Sequence, residues 1–144
     1  MDTITRVNQL SLHQGLNSNS AFTIRIANSK FDKFAGSELL TKVESWVSAN
    51  LMMNKQEVPA LIVDMADVEF IDSQGLQKLL AALRLMQSKN SNLLLCSQQP
   101  SVQIVFEITR FDQLFAIFPS IDTFVSQSEF HHNSYQHSEY LVAA

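Results

Sequence analysis

The stretch from residue 61 to residue 86 limits the possible fold most strongly, because its hydrophobic period changes in the middle. It begins with a continuous apolar run at residues 61–63, bounded by Pro59 and Asp64, which is typical of a buried strand. It ends with apolar residues at intervals of three and four, which predict a helix with one buried face. These apolar residues are Leu76, Leu79, Leu80, Leu83 and Met86. The stretch therefore predicts a buried strand that leads through a short loop into a helix.

The junction between this strand and this helix carries the polar sequence DSQG at residues 72–75. A serine immediately before a helix can cap it, since its hydroxyl oxygen accepts a hydrogen bond from a backbone N–H that has no partner within the helix. We therefore expect Ser73 to act as the cap, with its hydroxyl group exposed above the end of a sheet. A chemically active group would be placed at such a position.

Strand and helix patterns also alternate before this stretch. Residues 1–20 contain one weak apolar alternation, which predicts a peripheral strand. Apolar and polar residues alternate from Phe22 to Ile26, which predicts a strand at residues 21–27 with one buried face. A turn is expected at residues 28–30. An amphipathic helix is expected from about Gly36, with Gly36 or Ser37 near its start.

The same alternation continues after the central helix. The run LLLC at residues 93–96 predicts a short buried strand in which Cys96 is a small buried side chain. Pro100 suits the first turn of the next helix. A last strand is expected within residues 111–118, before a final helix capped by Ser120. The predicted fold is a single α/β domain with a mixed, mainly parallel sheet of four to five strands flanked by about four helices.

Composition and charge exclude several classes of protein. The chain of 144 residues has the length of one domain, and no apolar run in it approaches the ~18 residues that cross a bilayer. No secretory signal is visible, so a cytoplasmic protein is expected. The net charge of −4, without a cluster of lysine or arginine, argues against a nucleic-acid partner. We expect an N-terminal segment at residues 1–20, the folded domain at residues 21–125 and a polar tail at residues 126–144.

Asp64 closes the central strand, as the phosphoacceptor aspartate does in response-regulator receiver domains. Such a site needs further carboxylates to hold Mg²⁺ against the phosphoryl group. The strand predicted at residues 21–27 is followed instead by Asn28 and Ser29, where paired acidic residues would be needed. We therefore expect Asp64 to be a strand-end residue that bonds to the backbone of the following loop.

The histidines near the C-terminus do not form a recognisable metal site. His131, His132 and His137 stand beside Glu129 and Glu139, but their spacing matches neither a helical histidine pair nor a common zinc signature. We expect neither a metal nor a cofactor in this protein.

Residues 68–76, VEFIDSQGL, resemble the signature of the anti-sigma factor antagonists, bacterial members of the STAS domain family. In that signature an aromatic and an aliphatic residue precede Asp-Ser, and a Gly-Leu pair then opens a helix. The similarity extends from about residue 22 to residue 125. The resemblance implies a STAS fold for this part of the chain.

The resemblance also implies a function that depends on Ser73. In this family the equivalent serine is phosphorylated by the partner anti-sigma factor, which is a serine kinase. The unphosphorylated antagonist binds the kinase, phosphorylation releases it, and a PP2C-type phosphatase restores the first state. The resemblance places Asp32 and Asp72 on the partner-facing edge, and it implies that the chain itself is not an enzyme.

Three further motif positions, Gln74, Gly75 and Gln77, belong to the same expected partner surface. Gln74 stands where the family usually has a small residue, and Gln77 stands where a second glycine often follows. Both amides can change which partner binds. Two alternatives stay open: a scaffold domain in which Ser73 is only a cap, and a small serine hydrolase, which the absence of a G-x-S-x-G motif disfavours. Exposed apolar residues near the tail would also allow self-association.

Overall fold

The computed structural model of the protein describes residues 4–6, 21–53 and 57–123. Three helices are separated by one or two strands each, with a 3-10 turn at Phe111–Gln113 before the last strand and helical backbone at residues 121–123. The elements are β1 (Ile4–Arg6), β2 (Ala21–Arg25), β3 (Lys30–Phe31), α1 (Lys33–Met52), β4 (Ala60–Asp64), β5 (Phe70–Ile71), α2 (Ser73–Ser88), β6 (Leu93–Cys96), α3 (Pro100–Thr109) and β7 (Ala116–Phe118).

Five of the strands form the main sheet, in the order β1-β2-β4-β6-β7. The strands β2, β4, β6 and β7 are parallel to one another, whereas β1 pairs with β2 in the antiparallel direction. In the centre of the sheet, Val63 of β4 lies between Ile24 of β2 and Leu95 of β6. The predicted α/β architecture, with a mainly parallel sheet, is confirmed.

The core lies between the main sheet and the three helices. Alternate residues of β4 face opposite sides of the sheet, so Leu61 and Val63 pack with the helices, while Ile62 belongs to a smaller cluster on the other side. The apolar face of α2 is buried as its spacing predicts, except that Leu80 is only half-buried. Among the described residues, none of the helices is both long enough and apolar enough to cross a bilayer.

A second sheet consists of only two short parallel strands, β3 and β5, which the sequence pattern does not predict. Lys30 pairs with Phe70, and Phe31 pairs with Ile71. The turn expected at residues 28–30 is therefore partly wrong, because the chain is already extended at Lys30. Two residues are too few to show an alternating pattern, so the sequence carries no periodic signal for these strands.

The predicted start of the first helix is also wrong. Helix α1 begins at Lys33 rather than near Gly36 or Ser37, and Asp32 is its N-cap. The side chain of Asp32 accepts hydrogen bonds from the backbone N–H groups of Phe34 and Ala35, both at 3.1 Å. The apolar spacing marks only the buried face of a helix, whereas its first turn is defined by the cap.

The glycines at the start of α1 and α2 allow the two helices to approach closely. A Cβ atom added to Gly36 would lie 2.6 Å from Cβ of Lys78 and 3.6 Å from Cα of Gly75. A Cβ atom added to Gly75 would overlap the carbonyl oxygen of Phe31 in β3. The first turns of α1 and α2 are therefore packed almost backbone to backbone, and β3 lies against them.

The predicted burial of Cys96 and the predicted cap at Ser120 are both confirmed. Burial removes the Cys96 thiol from water and raises its pKa to about 11; a hydrogen bond with the Ser97 side chain lowers this pKa, and the nearby Asp64 carboxylate raises it. The thiol is therefore protonated at neutral pH.

At the end of the described chain, the hydroxyl oxygen of Ser120 accepts a hydrogen bond from the backbone N–H of Thr123 at 3.1 Å.

Cys96 should react very slowly with thiol reagents in the folded protein. Only the thiolate attacks such reagents, and raising the pKa to about 11 depletes the thiolate at pH 8. We expect modification by a chromogenic disulfide to be at least ~100-fold slower in the native protein than in urea. Because Cys96 is the only cysteine of the chain, the reaction reports on this site alone. Equal rates in the two conditions would contradict the buried position.

Replacement of Gly75 by alanine should destabilise the fold. Alanine normally stabilises a helix relative to glycine by roughly 0.5–1 kcal/mol. Here the added methyl group meets the backbone of β3, so we expect Gly75→Ala to lower the free energy of unfolding by at least about 1–3 kcal/mol. Urea unfolding measures this change, and Gln77→Ala, at an exposed position of the same turn, is the control. A stabilised Gly75→Ala variant would show that β3 does not lie against this turn of α2.

Candidate functional site

Three helices begin at one edge of the main sheet. The parallel strands β2, β4 and β6 end at this edge, and the chain then continues to the N-termini of α1, α2 and α3 respectively. In open α/β sheets, binding sites lie at the carboxyl ends of the strands. We call this region the carboxyl edge, and Ser73 belongs to it.

Helix α2 begins at Ser73, and its N-cap is Asp72. The carboxylate of Asp72 accepts a hydrogen bond from the backbone N–H of Gly75 at 2.8 Å. The prediction that Ser73 is the cap is therefore wrong by one residue, because the aspartate has the extended backbone that a cap requires. The side chain of Ser73 is exposed, as predicted. The stability of this helix end depends on Asp72 and not on the serine hydroxyl.

Helix α1 begins beside α2 and in the same way. Its cap, Asp32, directly follows Phe31, while Asp72 directly follows Ile71. Since Phe31 and Ile71 are paired in the small parallel sheet, the two aspartate caps occupy adjacent positions. The structure thus brings Asp32 to the same edge as Ser73.

The loop between β4 and α2 is held on both sides by hydrogen bonds. On one side, the backbone N–H of Glu69 donates to the carbonyl oxygen of Ser29 at 2.7 Å. On the other side, the hydroxyl of Ser101 donates to the carbonyl oxygen of Glu69 at 2.8 Å. The side-chain amide of Gln99 donates to the carbonyl oxygen of Ala66, also at 2.8 Å. The backbone that leads to Ser73 is therefore anchored to both neighbouring segments.

Asp64 has the structural role that the sequence predicted. Its carboxylate accepts a hydrogen bond from the backbone N–H of Ala66 at 3.0 Å. It also forms an ion pair with Arg25 at 3.3 Å, and the same guanidinium pairs with Asp67 at 3.1 Å. Arg25 is far away in the sequence, so no local pattern could have revealed these contacts. They favour a role in holding the loop over a role as a phosphoacceptor.

The other motif residues differ in exposure. Gln74 and Gln77 are exposed on the first turns of α2, whereas Gly75 is buried against β3. Two aromatic residues of the carboxyl edge, which no motif in the sequence marks, are also exposed. They are Phe34 at the start of α1 and Phe70 in β5. The correct start of α1 would have revealed Phe34 as a residue of the first helical turn.

The histidines of the tail lie outside the described residues, as do Glu129 and Glu139. Within the described part of the chain, no group of three metal-binding side chains is present.

The capping role of Asp72 can be separated from its charge by two substitutions. Asp72→Ala removes the acceptor for the N–H of Gly75, and we expect it to lower the free energy of unfolding by about 0.5–2 kcal/mol. Asp72→Asn keeps an equally good cap without the charge, so it should remain within about 0.5 kcal/mol of the wild type. Urea unfolding of both variants makes the comparison. Equal losses in both would show that the charge, rather than the cap, stabilises this end of α2.

Comparison with known proteins supports the fold described above. The family model of the STAS domain matches residues 18–124. Among curated proteins, no sequence matches this chain. A candidate anti-sigma factor antagonist from Thermotoga maritima has a similar crystal structure, with a TM-score of 0.60, 19% identity and coverage of 74% of this chain and 86% of that one.

Two further solved structures are similar to a comparable degree. An anti-sigma-factor antagonist (STAS) domain protein from Planctomyces limnophilus has a TM-score of 0.57 and 14% identity, covering 76% of this chain and 89% of that one. A sulfate transporter family protein from Wolinella succinogenes has a TM-score of 0.57 and 17% identity, covering 76% and 85%. At these identities the structures show a shared fold and no more. Since the family model matches most of the sequence, this chain belongs to the STAS domain family.

Proposed function

We propose that this protein is an anti-sigma factor antagonist that binds an anti-sigma factor serine kinase and is released when the kinase phosphorylates Ser73. The observation that carries this proposal is the position of Ser73, which is exposed as the first residue of α2 while its neighbour Asp72 caps the helix. The proposed cycle includes a PP2C-type phosphatase that removes the phosphate. The chain itself supplies no catalytic group, and the cycle belongs to the cytoplasm.

The division of roles between Asp72 and Ser73 allows modification without unfolding. If the serine hydroxyl were the cap, a phosphate on it would remove the acceptor of the first helical turn. Here the N–H of Gly75 bonds to Asp72, so the Ser73 hydroxyl is available to a kinase. A helix N-terminus also tolerates an anion, because its unpaired N–H groups and the helix dipole are positive there.

The phosphate should act at the interface with the partner. Phosphorylation adds about −1.5 to −2 charges at pH 7. At the carboxyl edge this charge is placed next to the carboxylate of Asp72 and near that of Asp32. Removing a charged group from water without an opposite charge costs several kcal/mol, and each ~1.4 kcal/mol is a tenfold loss of affinity. A phosphate that has to be desolvated against the kinase can therefore release it.

One alternative is supported by a specific observation. STAS domains with this fold also occur in the sulfate transporter family, as the structure from Wolinella succinogenes illustrates. In this alternative the domain is a constitutive scaffold and Ser73 is never modified. A serine hydrolase is less well supported, because the sequence around Ser73 lacks the first glycine of the G-x-S-x-G motif.

Phosphorylation of Ser73 is tested with purified anti-sigma factor kinases of the host. Incubation with each kinase and ATP, followed by mass-spectrometric mapping, should locate one phosphate on Ser73. Binding without phosphorylation would favour the scaffold, and a covalent adduct of Ser73 with a fluorophosphonate probe would favour the hydrolase.

The effect of charge on binding is tested with two variants. Ser73→Ala should bind the kinase within about threefold of the wild type, because it adds no charge, whereas Ser73→Asp should bind at least ~100-fold more weakly. Isothermal titration calorimetry measures both affinities. Ser45→Asp adds the same charge at an exposed position in the middle of α1 and should have little effect. Equal binding by Ser73→Ala and Ser73→Asp is the result that rules out control by charge.

A further inference from the structure

Two aromatic side chains are exposed at the carboxyl edge. The side chain of Phe34 is 78% exposed and that of Phe70 is 50% exposed. Single exposed apolar residues are common on protein surfaces, but aromatic residues close to one another on a site are typical of binding surfaces. We call these two residues the aromatic pair.

Both residues of the aromatic pair lie close to Ser73. Phe70 precedes Ser73 by three positions, which an extended chain spans in about 10 Å. Phe34 is the second residue of α1, and α1 begins beside α2 because their caps follow paired residues of β3 and β5. Phe34 also lines a surface depression together with Lys30, the residue that pairs with Phe70 in the small sheet. The aromatic pair and the serine are therefore parts of one surface.

The backbone of the aromatic pair is held in place. The N–H of Phe34 donates to the side chain of Asp32, and the N–H of Phe70 donates to the carbonyl oxygen of Ser29, both at 3.1 Å. The ammonium group of Lys30 lies 5.9 Å from the centre of the Phe70 ring, at cation–π distance. A surface that is already ordered loses little entropy on binding.

The typical size of a protein interface indicates which exposed residues a kinase bound at Ser73 would cover. A stable interface buries roughly 800 Å² on each partner, which corresponds to a disc of about 16 Å radius. If the active site of a kinase reaches the Ser73 hydroxyl, the buried disc is centred on Ser73. Phe34 and Phe70 then lie inside it, whereas Leu51 and Met52 stand at the opposite end of the long helix α1.

We infer that the aromatic pair is the apolar anchor by which the kinase of the proposed function holds this protein, with an apolar pocket on the kinase beside its catalytic site. The inference rests on that proposed function. Phe34 is the main anchor, because it is the more exposed ring and loses the most contact with water when it is covered. An anchor of this kind binds substrate and transition state equally, so it determines affinity and not the rate of phosphoryl transfer.

The aromatic pair is tested by alanine substitution with controls matched in exposure. Phe34→Ala should weaken kinase binding at least ~30-fold, and Phe70→Ala at least ~10-fold, as expected for residues that dominate an interface. Ile108→Ala and Ile104→Ala on α3 replace side chains that are 75% and 54% exposed, and they should change the affinity less than about threefold. In phosphorylation assays, Phe34→Ala should raise KM with kcat unchanged. Urea unfolding verifies that each variant is folded.

The outcomes separate this inference from the function on which it rests. If no kinase modifies Ser73 in the wild-type protein, the proposed function fails and the inference fails with it. If Ser73 is modified normally while Phe34→Ala leaves both affinity and KM unchanged, only the inference fails. Sedimentation of the protein alone tests a second copy as the occupant. Loss of a dimer in Phe34→Ala, with unchanged affinity for the kinase, would overturn the inference in favour of self-association.

Discussion

The close contact between the first turns of α1 and α2 is the constraint on which the site depends. Gly36 lies directly against Lys78 and Gly75 of α2, and the carbonyl of Phe31 occupies the space that a methyl group on Gly75 would need. The two-residue strands β3 and β5 fix the same contact from the other side by pairing in register. Together they place two helix N-termini, with their caps, next to each other at one edge of the sheet.

In this arrangement one of two adjacent residues stabilises the helix, and the other is available for modification. Asp72 satisfies the N–H of Gly75, and so it belongs to the folded framework. Ser73 is exposed and is not needed for the cap. A group that is to be modified reversibly is best placed where the fold does not depend on it, because the free energy of folding is small and the loss of a cap is a substantial part of it. The position of Ser73 meets this condition.

The sequence predicted what periodicity can encode. The apolar runs and the spacing of leucines gave the central strand, α2 and the mainly parallel sheet, and the local role of Asp64 followed from its place at a strand end. Features that depend on contacts between residues distant in the sequence cannot be predicted from local patterns. Examples are the pairing of β3 with β5 and the ion pair of Arg25 with Asp64. The cap of α2 was misplaced because Asp and Ser cap helices about equally well, and only the backbone conformation distinguishes them.

The anchoring of the loop before Ser73 bears on how a phosphate could be detected. A ligand or a modification changes a conformation only when two arrangements of similar free energy exist. Here the loop is bonded through Glu69 to Ser29 on one side and to Ser101 on the other, and the cap of α2 does not involve the modified residue. A phosphate on Ser73 would break none of these bonds. Under the proposed function, the partner must therefore detect the added charge directly, so the specificity of the switch depends on the residues around Ser73, including Gln74, Gln77 and the aromatic pair.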